Sequence, residues 1–308
     1  MQGTFFGAIS PSMTVNILYG NLPTHLWETI SDSVRFITGG LEECGVAVKT
    51  GVNQIDRDSV NLFLDRFYME PNFPLQLKTG GVRYGLICTE VIAPDGTWNY
   101  GAEAEDPATV TAFDLAAKYA DFVWCLLEES VEACKAINPN SAYLPYGYLP
   151  EMETVNRQPN DHRDIDFLMC GIPSERRQLL VDEITAQGHE VYYPGLPIPA
   201  HLRDSLMARS RINLSLQKST RHKIISVTRI CHSVINRLPV LLEYEGPETR
   251  YTRYCLTASP EVLVEKCGHY LTQTDLDVWA EESYQSLKED MPMKAIMENL
   301  LNESLPDA

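Results

Sequence analysis

The sequence predicts an α/β protein with two domains, each built on a parallel sheet that helices cover on both faces. Short apolar runs alternate with helical patterns between residues 164 and 243, as they do in parallel sheets. A similar alternation runs through the first half, although the two halves share no recognisable repeat. The chain has 308 residues, which suits two domains of about 150 residues each.

The second half contains the most informative alternation. Residues 165–169 form an apolar strand that ends at Cys170-Gly171. The other elements predicted in this half are, in order, a helix at 174–187, a strand at 189–193, a helix at 200–209, a strand at 211–216, a helix at 225–236 and a strand at 239–242. Open α/β sheets bind ligands beyond the carboxyl ends of their strands, so a site is expected in this half.

The first half is predicted to form a second open sheet. Its strands are expected at 15–19, 46–50, 60–64, 84–90, 121–125 and 142–144, and its helices from Thr24 towards Gly39, over 107–119 and over 128–137. The stretch 146–163 is polar, with two prolines and a glycine, which is typical of a linker. Residues 275–302 show apolar positions at helical spacing and predict acidic closing helices.

Composition and charge limit the classes of function. The net charge of −17 argues against a nucleic-acid partner, because phosphate backbones bind clustered Lys and Arg. Residues 201–250 nevertheless hold nine Lys and Arg against four Asp and Glu. Such a local basic region suits either a small anionic ligand or a solvated face. No run of about 18 apolar residues occurs, so no transmembrane segment is expected.

The eight cysteines are scattered along the chain and form no CxxC motif. Several lie within apolar strand or helix patterns, among them Cys88, Cys125 and Cys170. This distribution predicts free buried thiols in a reducing cytoplasm. The first residues lack the basic and apolar regions of a signal peptide, which agrees with a cytoplasmic protein.

Several familiar enzyme motifs are missing from the sequence. Neither half has GxGxxG after its first strand, and no GxxxxGK[ST] loop occurs. A nicotinamide-dependent dehydrogenase and a P-loop enzyme are therefore not expected. HExxH and GxSxG are also absent, so the usual signals of zinc peptidases and serine hydrolases are lacking.

Three segments carry a resemblance to a known family. They are DIDFLMCGIPSERRQLLVDEITAQGHEV from residue 164, RINLSLQ from residue 211 and TRICHSVINRLPVLLEYEG from residue 228. Together they resemble the nucleotide-sugar domain of GT-B glycosyltransferases, in particular the CgeB-like, spore-maturation-type branch. The features in common are a strand ending in glycine, an Arg-Arg pair on the next helix, a later helix beginning with arginine, and a Pro-Val strand ending in an acid.

The resemblance implies a fold and an activity. The fold would be two Rossmann-like domains facing a cleft, with the C-terminal helix packing back on the N-terminal domain. An acceptor-side domain is then expected at 14–150, a nucleotide-sugar domain at 160–270, and the returning helices at 271–308. The implied reaction transfers a sugar from a nucleotide-diphosphate-sugar to an unidentified acceptor (a glycan, a small molecule or a protein). No metal or other cofactor is expected.

A nucleotide-sugar needs positive charge in its site, because its diphosphate leaving group gains negative charge as the glycosidic bond breaks. Without a metal, side chains and backbone N–H groups supply that charge. Arg229 lies in the first turn of the helix after Ser226, where the helix dipole also attracts anions. The residues predicted to bind the donor are Gly171, Ser174, Arg177, Tyr193, Gln217, Lys218, Arg221, Arg229, His232 and Glu243.

These residues also have structural interpretations. Surface solvation or a salt bridge explains the cations, and a strand-to-helix turn explains Gly171. Arg176 and Arg177 open a helix, where the dipole disfavours cations. An anionic ligand there, or a salt bridge to Glu175 or Asp182, would offset this effect.

An inverting transfer also needs a general base, and the first half offers two candidates. Asp65 and Glu90 both lie at the carboxyl ends of predicted strands, so we predict that one of them is catalytic. A retaining transfer would not need this base in the same way. Both stereochemical outcomes are compatible with the sequence, as are several oligomeric states and nucleotide bases.

The sequence departs from the family pattern at two places. Cys231-His232 follow the arginine of the later helix, and Asn236-Arg237 replace a turn glycine before the Pro-Val strand. The Glu-x7-Glu pair of many retaining relatives is also incomplete. These departures support one alternative, a non-catalytic relative that binds a nucleotide or glycan. A second alternative is a nucleotide-sugar epimerase, which has the same two-domain plan.

Overall fold

A computed structural model describes residues 13–19, 24–52, 54–64, 72–93, 95–98, 106–221 and 224–306. The chain divides into two compact units. The first comprises residues 37–145 together with the segments before residue 24 and after residue 293. The second comprises residues 24–36 and 146–293.

The first unit is built on a parallel sheet of six strands in the order β2-β1-β3-β4-β5-β6. The strands are β1 (Thr14–Leu18), β2 (Ala47–Gly51), β3 (Val60–Phe63), β4 (Tyr84–Cys88), β5 (Phe122–Cys125) and β6 (Ser141–Tyr143). All residues of the three strands from β3 to β5 are buried, as expected for a sheet with both faces covered.

Within the ranges given above, five helices accompany this sheet. They are α1 (Ser31–Glu43), α2 (Phe73–Thr79), α3 (Pro107–Tyr119), α4 (Val131–Ile137) and α10 (Met293–Ser304). Residues of α1 up to Phe36 group with the second unit, whereas α10 from Lys294 onwards groups with the first. The indole nitrogen of Trp124 donates a hydrogen bond of 2.8 Å to Ser304 Oγ, which fixes the end of α10 against the buried sheet.

The second unit holds a parallel sheet of five strands in the order β11-β10-β9-β7-β8. The strands are β7 (Ile165–Leu168), β8 (Val191–Tyr192), β9 (Ser210–Ser215), β10 (Val240–Glu243) and β11 (Leu256–Ala258). Its helices are α5 (Glu175–Ala186), α6 (Ala200–Arg209), α7 (Val227–Ile235), α8 (Leu263–Gln273) and α9 (Leu276–Asp290). Phe167, Ile212, Leu214 and Leu241 form the centre of its core.

The predicted fold class is confirmed, because both units are α/β with parallel sheets. Helices 107–119 and 200–209 have the predicted bounds. Other elements differ: strand 84–90 ends at Cys88, strand 189–193 shortens to Val191–Tyr192, and helix 128–137 begins with a 3-10 turn. Two short elements, α2 and β11, were not predicted.

The segment 146–163, predicted as a linker, packs into the second unit. Leu149 and Met152 are buried, and the Asn236 side chain binds three backbone groups of residues 152–155. Its polar composition therefore reflects hydrogen bonding of an irregular segment. Within the described ranges, no helix has both the length and the apolar character required to cross a membrane.

Candidate functional site

The carboxyl end of β7 carries the centre of the candidate site, at Gly171. A Cβ atom placed on this glycine would lie 2.8 Å from Arg229 Nη2 and 3.3 Å from Arg177 Nη1. Two guanidinium groups, one from α5 and one from α7, thus approach a single backbone position. The absence of a side chain at Gly171 provides the space in which they meet.

Arg177 is held rigidly in this position. Its Nε and Nη2 donate to the carbonyl of Leu216 at 3.1 and 2.8 Å, and its Nη1 donates to the carbonyl of Ile172 at 2.6 Å. The residue is buried, and this burial lowers the pKa of its guanidinium from the ordinary arginine value. Neutral carbonyls satisfy its donors, and Glu243, the carboxylate that acts on its charge, is already paired with Arg176.

Arg229 lies in the first turn of α7 and has few partners. Its Nη1 is 3.3 Å from Ser215 Oγ. Burial, followed by repulsion from Arg177, lowers the pKa of Arg229 to about 10, so the side chain still carries its charge at neutral pH. Among the residues that the structure describes, no carboxylate lies within 4.0 Å of either guanidinium group. The site therefore concentrates two positive charges.

Tyr193 adds an unsatisfied polar atom to this region. Its hydroxyl is buried and has no hydrogen-bond partner in the described part of the chain. The same side chain interacts electrostatically with both Arg177 and Arg229. A buried hydroxyl without a partner, beside two unneutralised cations, is a group that a bound ligand can satisfy.

Ser174 joins two loops at the sheet edge. Its Oγ accepts a hydrogen bond from the backbone N–H of Arg177 at 3.3 Å, which caps α5 as predicted, and it donates to the carbonyl of Lys218 at 2.9 Å. The loop after β9 is thereby fixed beside the start of α5. Lys218 is partly buried, and Arg221 is exposed.

Glu243 ends β10 and is only 1% exposed. Both of its oxygens pair with the Arg176 guanidinium, one of them at 2.8 Å from Nη1. The Gln217 backbone N–H also donates to Glu243 Oε2 at 2.8 Å. The structure thus places these residues in one buried network that ties α5, β10 and the loop after β9 together.

Arg176 has a different partner from those expected. It forms its ion pair with Glu243, not with Glu175 or Asp182. Asp182 instead accepts a hydrogen bond of 2.8 Å from the side-chain amide of Gln178. The sequence shows the Arg-Arg pair at the start of α5, but it does not show that Arg176 pairs with Glu243, because Glu243 lies on a strand distant in sequence. Arg176 was therefore absent from the predicted site residues, although it determines where Glu243 and Gln217 lie.

His232 lies one turn after Arg229 on α7 and is 2% exposed. Its Nε2 is 3.5 Å from Arg203 Nη2 and 3.8 Å from Asp204 Oδ1. Arg203 also forms a bidentate ion pair with Asp32. Burial and the Arg203 charge lower the pKa of His232 to about 4, so the imidazole is neutral at neutral pH.

The thiol of Cys170 interacts electrostatically with Arg203 of this network and with Arg229, one of the two arginines at Gly171. Burial raises the pKa of its thiol, and the charges of Arg229 and Arg203 act in the opposite direction. The guanidinium groups of Arg229 and Arg203 are therefore both near Cys170, the residue that precedes Gly171. His232 belongs to the flank of the site and not to the point where Arg177 and Arg229 meet.

Asn236 and Arg237 have structural roles at the end of α7. Arg237 has a φ of 54° and follows α7, and the Leu238 N–H returns to the Ser233 carbonyl at 2.9 Å. This is a Schellman-type helix end, in which glycine is preferred. Stacking of Arg237 over Tyr284 at 3.6 Å and its ion pair with Glu281 stabilise the unusual backbone.

The predicted catalytic carboxylates lie in the first half of the chain. Glu90 follows β4 and is partly buried, and its carbonyl accepts hydrogen bonds from Ser130 Oγ at 2.8 Å and Cys88 Sγ at 3.4 Å. These bonds fix the backbone that carries the Glu90 side chain. Asp65 lies outside the described residues.

Comparison with known proteins gives matches to structures only. No protein-family model matches the chain, and no curated protein matches it. An apo structure of OtsA aligns with a TM-score of 0.60 and 10% identity, covering 96% of this chain and 99% of that chain. An α,α-trehalose-phosphate synthase (UDP-forming) from Burkholderia vietnamiensis aligns with a TM-score of 0.55 and 10% identity over 96% of this chain and 98% of that chain.

A third structure widens the functional range of the neighbours. It is a proposed UDP-N-acetylglucosamine 2-epimerase from Listeria monocytogenes, with a TM-score of 0.51 and 11% identity over 94% of this chain and 95% of that chain. At such identities the likeness is one of fold. It extends over nearly the whole length of each chain, and it identifies the two-unit α/β architecture as GT-B type.

Proposed function

We propose that this protein is a glycosyltransferase that moves a sugar from a nucleotide-diphosphate-sugar to an acceptor without a metal ion. The observation that carries the proposal is the convergence of Arg177 and Arg229 at Gly171, with no carboxylate within 4.0 Å among the described residues. The site lies at the carboxyl end of a parallel strand, where such sheets bind ligands. Two unneutralised guanidinium groups favour a ligand that carries several negative charges.

The chemistry of the donor fits these groups. Arg177 is fixed by three hydrogen bonds to carbonyls, so it presents charge without reorganisation. Arg229, with a weak contact to Ser215, has donors left for a bidentate contact to a phosphate. The Tyr193 hydroxyl offers a further hydrogen bond. Together these groups would stabilise the diphosphate as the glycosidic bond breaks, the task that a metal performs in other transferases.

We assign the other predicted residues to the same donor site. Gly171 lets the backbone approach the diphosphate, and Ser174 and Gln217 hold the surrounding loops. Lys218 and Arg221 lie on the loop that follows β9. His232 and Glu243 are buried in networks, and we assign them to positioning the donor-binding helix and loop.

The remaining parts of the proposal concern family, acceptor and chemistry. The chain is proposed to be CgeB-like and cytoplasmic, which agrees with the eight free cysteines. Glu90 or Asp65 is proposed as the general base if the transfer inverts configuration. The acceptor is a glycan, a small molecule or a protein. Because one neighbouring structure is named as a UDP-forming synthase, uridine donors are the first to test.

A second candidate function is epimerisation of a nucleotide-sugar. The structural likeness to a proposed UDP-N-acetylglucosamine 2-epimerase is the observation that favours it. The same two arginines would bind the diphosphate in such an enzyme. The third possibility, a non-catalytic binder, has weaker support, because Asn236 and Arg237 are explained by the helix end that they form.

Product analysis distinguishes these functions. Purified protein is incubated with UDP-sugars and then with other nucleotide-sugars, in the presence of EDTA and a mixture of candidate acceptors. A transferase releases a nucleoside diphosphate and forms a glycoside, whereas an epimerase converts the sugar without an acceptor. Conversion of the donor without any release of diphosphate would overturn the transferase proposal, as would unchanged donor under conditions in which it binds.

A further inference from the structure

The first unit contains three cysteines whose sulfur atoms come together. Cys88 ends β4, Cys125 ends β5, and Cys134 lies on α4. Their three Sγ atoms all lie within 4.8 Å of one another. We call these residues the thiol cluster. In the described ranges, no other group of three or more metal-ligating side chains comes together in this way.

The fold determines this convergence. Cys88 and Cys125 are direct neighbours in the parallel register of β4 and β5, so their side chains leave the sheet on the same face. Helix α4 covers that face and supplies Cys134. Backbone hydrogen bonds from Leu126 to Cys88 and from Leu144 to Cys125, at 3.0 and 2.8 Å, hold both strand ends. The sulfur positions are therefore built on rigid elements.

The spacing of the sulfurs suits a metal ion. Thiolate sulfurs bind zinc at about 2.3 Å, so three of them in a trigonal plane around an ion lie about 4 Å apart. In the structure, the three sulfurs lie within 4.8 Å of one another, so small rotations of the side chains bring them to that spacing. All three cysteines have 0% exposure, so the site excludes water and competing ligands.

We propose that Cys88, Cys125 and Cys134 form a binding site for a soft, thiophilic metal ion, and that Cu⁺ fits it best. Soft sulfur ligands select Cu⁺. Structural Zn²⁺ sites take four ligands, whereas no histidine, carboxylate or further cysteine of the described residues completes this group. Binding displaces thiol protons, and it replaces the contact of Cys88 Sγ with the Glu90 carbonyl, which is 3.4 Å long.

The test measures Cu⁺ binding to the full, reduced chain under anaerobic conditions. Cu⁺ is titrated against a competing chelator, and X-ray absorption counts the sulfur ligands. The expected result for the unmodified chain is one tightly bound Cu⁺ with three sulfur neighbours. Tight binding of Zn²⁺ in preference to Cu⁺, or copper with fewer than three sulfurs, would overturn the assignment.

Two substitutions locate the ion. Cys134→Ala keeps a good helix former in α4 and removes one ligand. Cys267→Ala is the control, because Cys267 is a buried thiol of the second unit and does not belong to the thiol cluster.

Loss of even an outer-shell partner costs about 10–100-fold in metal affinity, so Cys134→Ala is expected to weaken Cu⁺ binding at least about 100-fold. Equal affinities for the two variants would overturn the proposal. If Cys134→Ala does not fold, the sulfur count in the unmodified chain decides alone.

Discussion

Arg177 and Arg229 approach each other at Gly171. Among the residues that the structure describes, no carboxylate oxygen lies within 4.0 Å of either guanidinium group. One guanidinium is fixed by backbone carbonyls, and the other makes one weak contact, to Ser215, among the residues that the structure describes. Burial lowers the pKa of Arg229, and repulsion from the like charge of Arg177 lowers it further. An anion placed between them would remove this repulsion, which is why the proposed diphosphate ligand fits here.

Substitution of Arg229 is the most direct mutational test. Arg229→Ala is expected to weaken nucleoside-diphosphate binding by about 10- to 150-fold, because a charge-assisted hydrogen bond contributes about 1.5–3 kcal/mol. Arg229→Lys keeps the charge but not the planar fork, so it should recover part of the affinity. Calorimetric titration measures both effects.

The control for this experiment is Arg253→Ala, which removes an exposed arginine of the same unit. It should bind like the unmodified chain. Circular dichroism and thermal unfolding establish that each variant is folded. If Arg229→Ala is folded and binds with unchanged affinity, the assignment of the donor site is wrong.

A methyl group at Gly171 tests the space between the arginines. The Cβ of Gly171→Ala would lie 2.8 Å from Arg229 Nη2, so this flexible side chain must move away from its position. We expect about tenfold weaker diphosphate binding with little loss of stability, since the effect falls on the geometry of a phosphate contact. Gly268→Ala is the matched control, because its Cβ meets only His189 at 3.4 Å.

Both glycine variants are compared by titration and by thermal unfolding. Similar affinities would show that the space at Gly171 does not matter for the ligand. A large loss of stability in Gly171→Ala alone would instead assign a structural role to that glycine.

The ion pair between Glu243 and Arg176 predicts a loss of stability on substitution. The Arg176 side chain is 22% exposed, and Glu243→Gln removes the carboxylate that pairs with its guanidinium. The expected cost is about 3 kcal/mol in the free energy of unfolding, because breaking a buried pair leaves a charge uncompensated. Denaturant unfolding measures it.

A double-mutant cycle with Arg176→Met completes this test. If the two residues are coupled, the double variant should lose less stability than the sum of the single variants. Additive losses would mean that the Glu243 contribution comes mainly from its bond with the Gln217 N–H.

His232 predicts a dependence of stability on pH. Its pKa falls from 6.5 to about 4 in the folded chain, so the unfolded chain takes up a proton first as the pH decreases. The stability that the neutral imidazole contributes is therefore present above about pH 6.5 and is lost between there and about pH 4. Burial lowers the pKa of His232 most, the charges of Arg203 and Arg35 lower it further, and those of Asp32 and Asp204 act in the opposite direction.

The measurement compares the unmodified chain with His232→Gln by denaturant unfolding from about pH 7 to about pH 4. Acidic groups titrate in both chains, so the difference between their curves isolates the histidine. We expect the unmodified chain to lose on the order of 2 kcal/mol more than the variant over this range. Parallel curves would contradict the lowered pKa.

Much of the fold could be predicted because its strands are short apolar runs between helical patterns. Prediction was most accurate where both periodicity and end signals were present, as in α3, with Pro107 at its start and Asp106 as its N-cap. It missed β11, which has only three residues, and it made the strand at 189–193 too long, since only two of those residues pair with a neighbour. Pairing in a sheet depends on partners distant in sequence, which a local pattern does not contain.

Contacts between residues distant in sequence also limit what could be predicted of the candidate site. The position of Arg229 in the first turn of a helix and that of Ser174 as a helix N-cap could be predicted, because both depend on local sequence. The partner of Arg176 could not, since Glu243 stands on another strand and reaches it only through the strand order. The thiol cluster was equally hidden, because Cys88 and Cys125 become neighbours only through the register of β4 and β5.

Binding of nucleoside diphosphates in the presence of EDTA tests the central claim most directly. The unmodified chain is titrated by calorimetry with UDP first and then with GDP, ADP and TDP, and the same titrations are repeated with Arg229→Ala. We predict that one nucleotide family binds with EDTA present and that the variant loses this binding. Binding that requires a divalent cation, or that is equal in the two chains, would contradict a metal-independent donor site at Arg177 and Arg229.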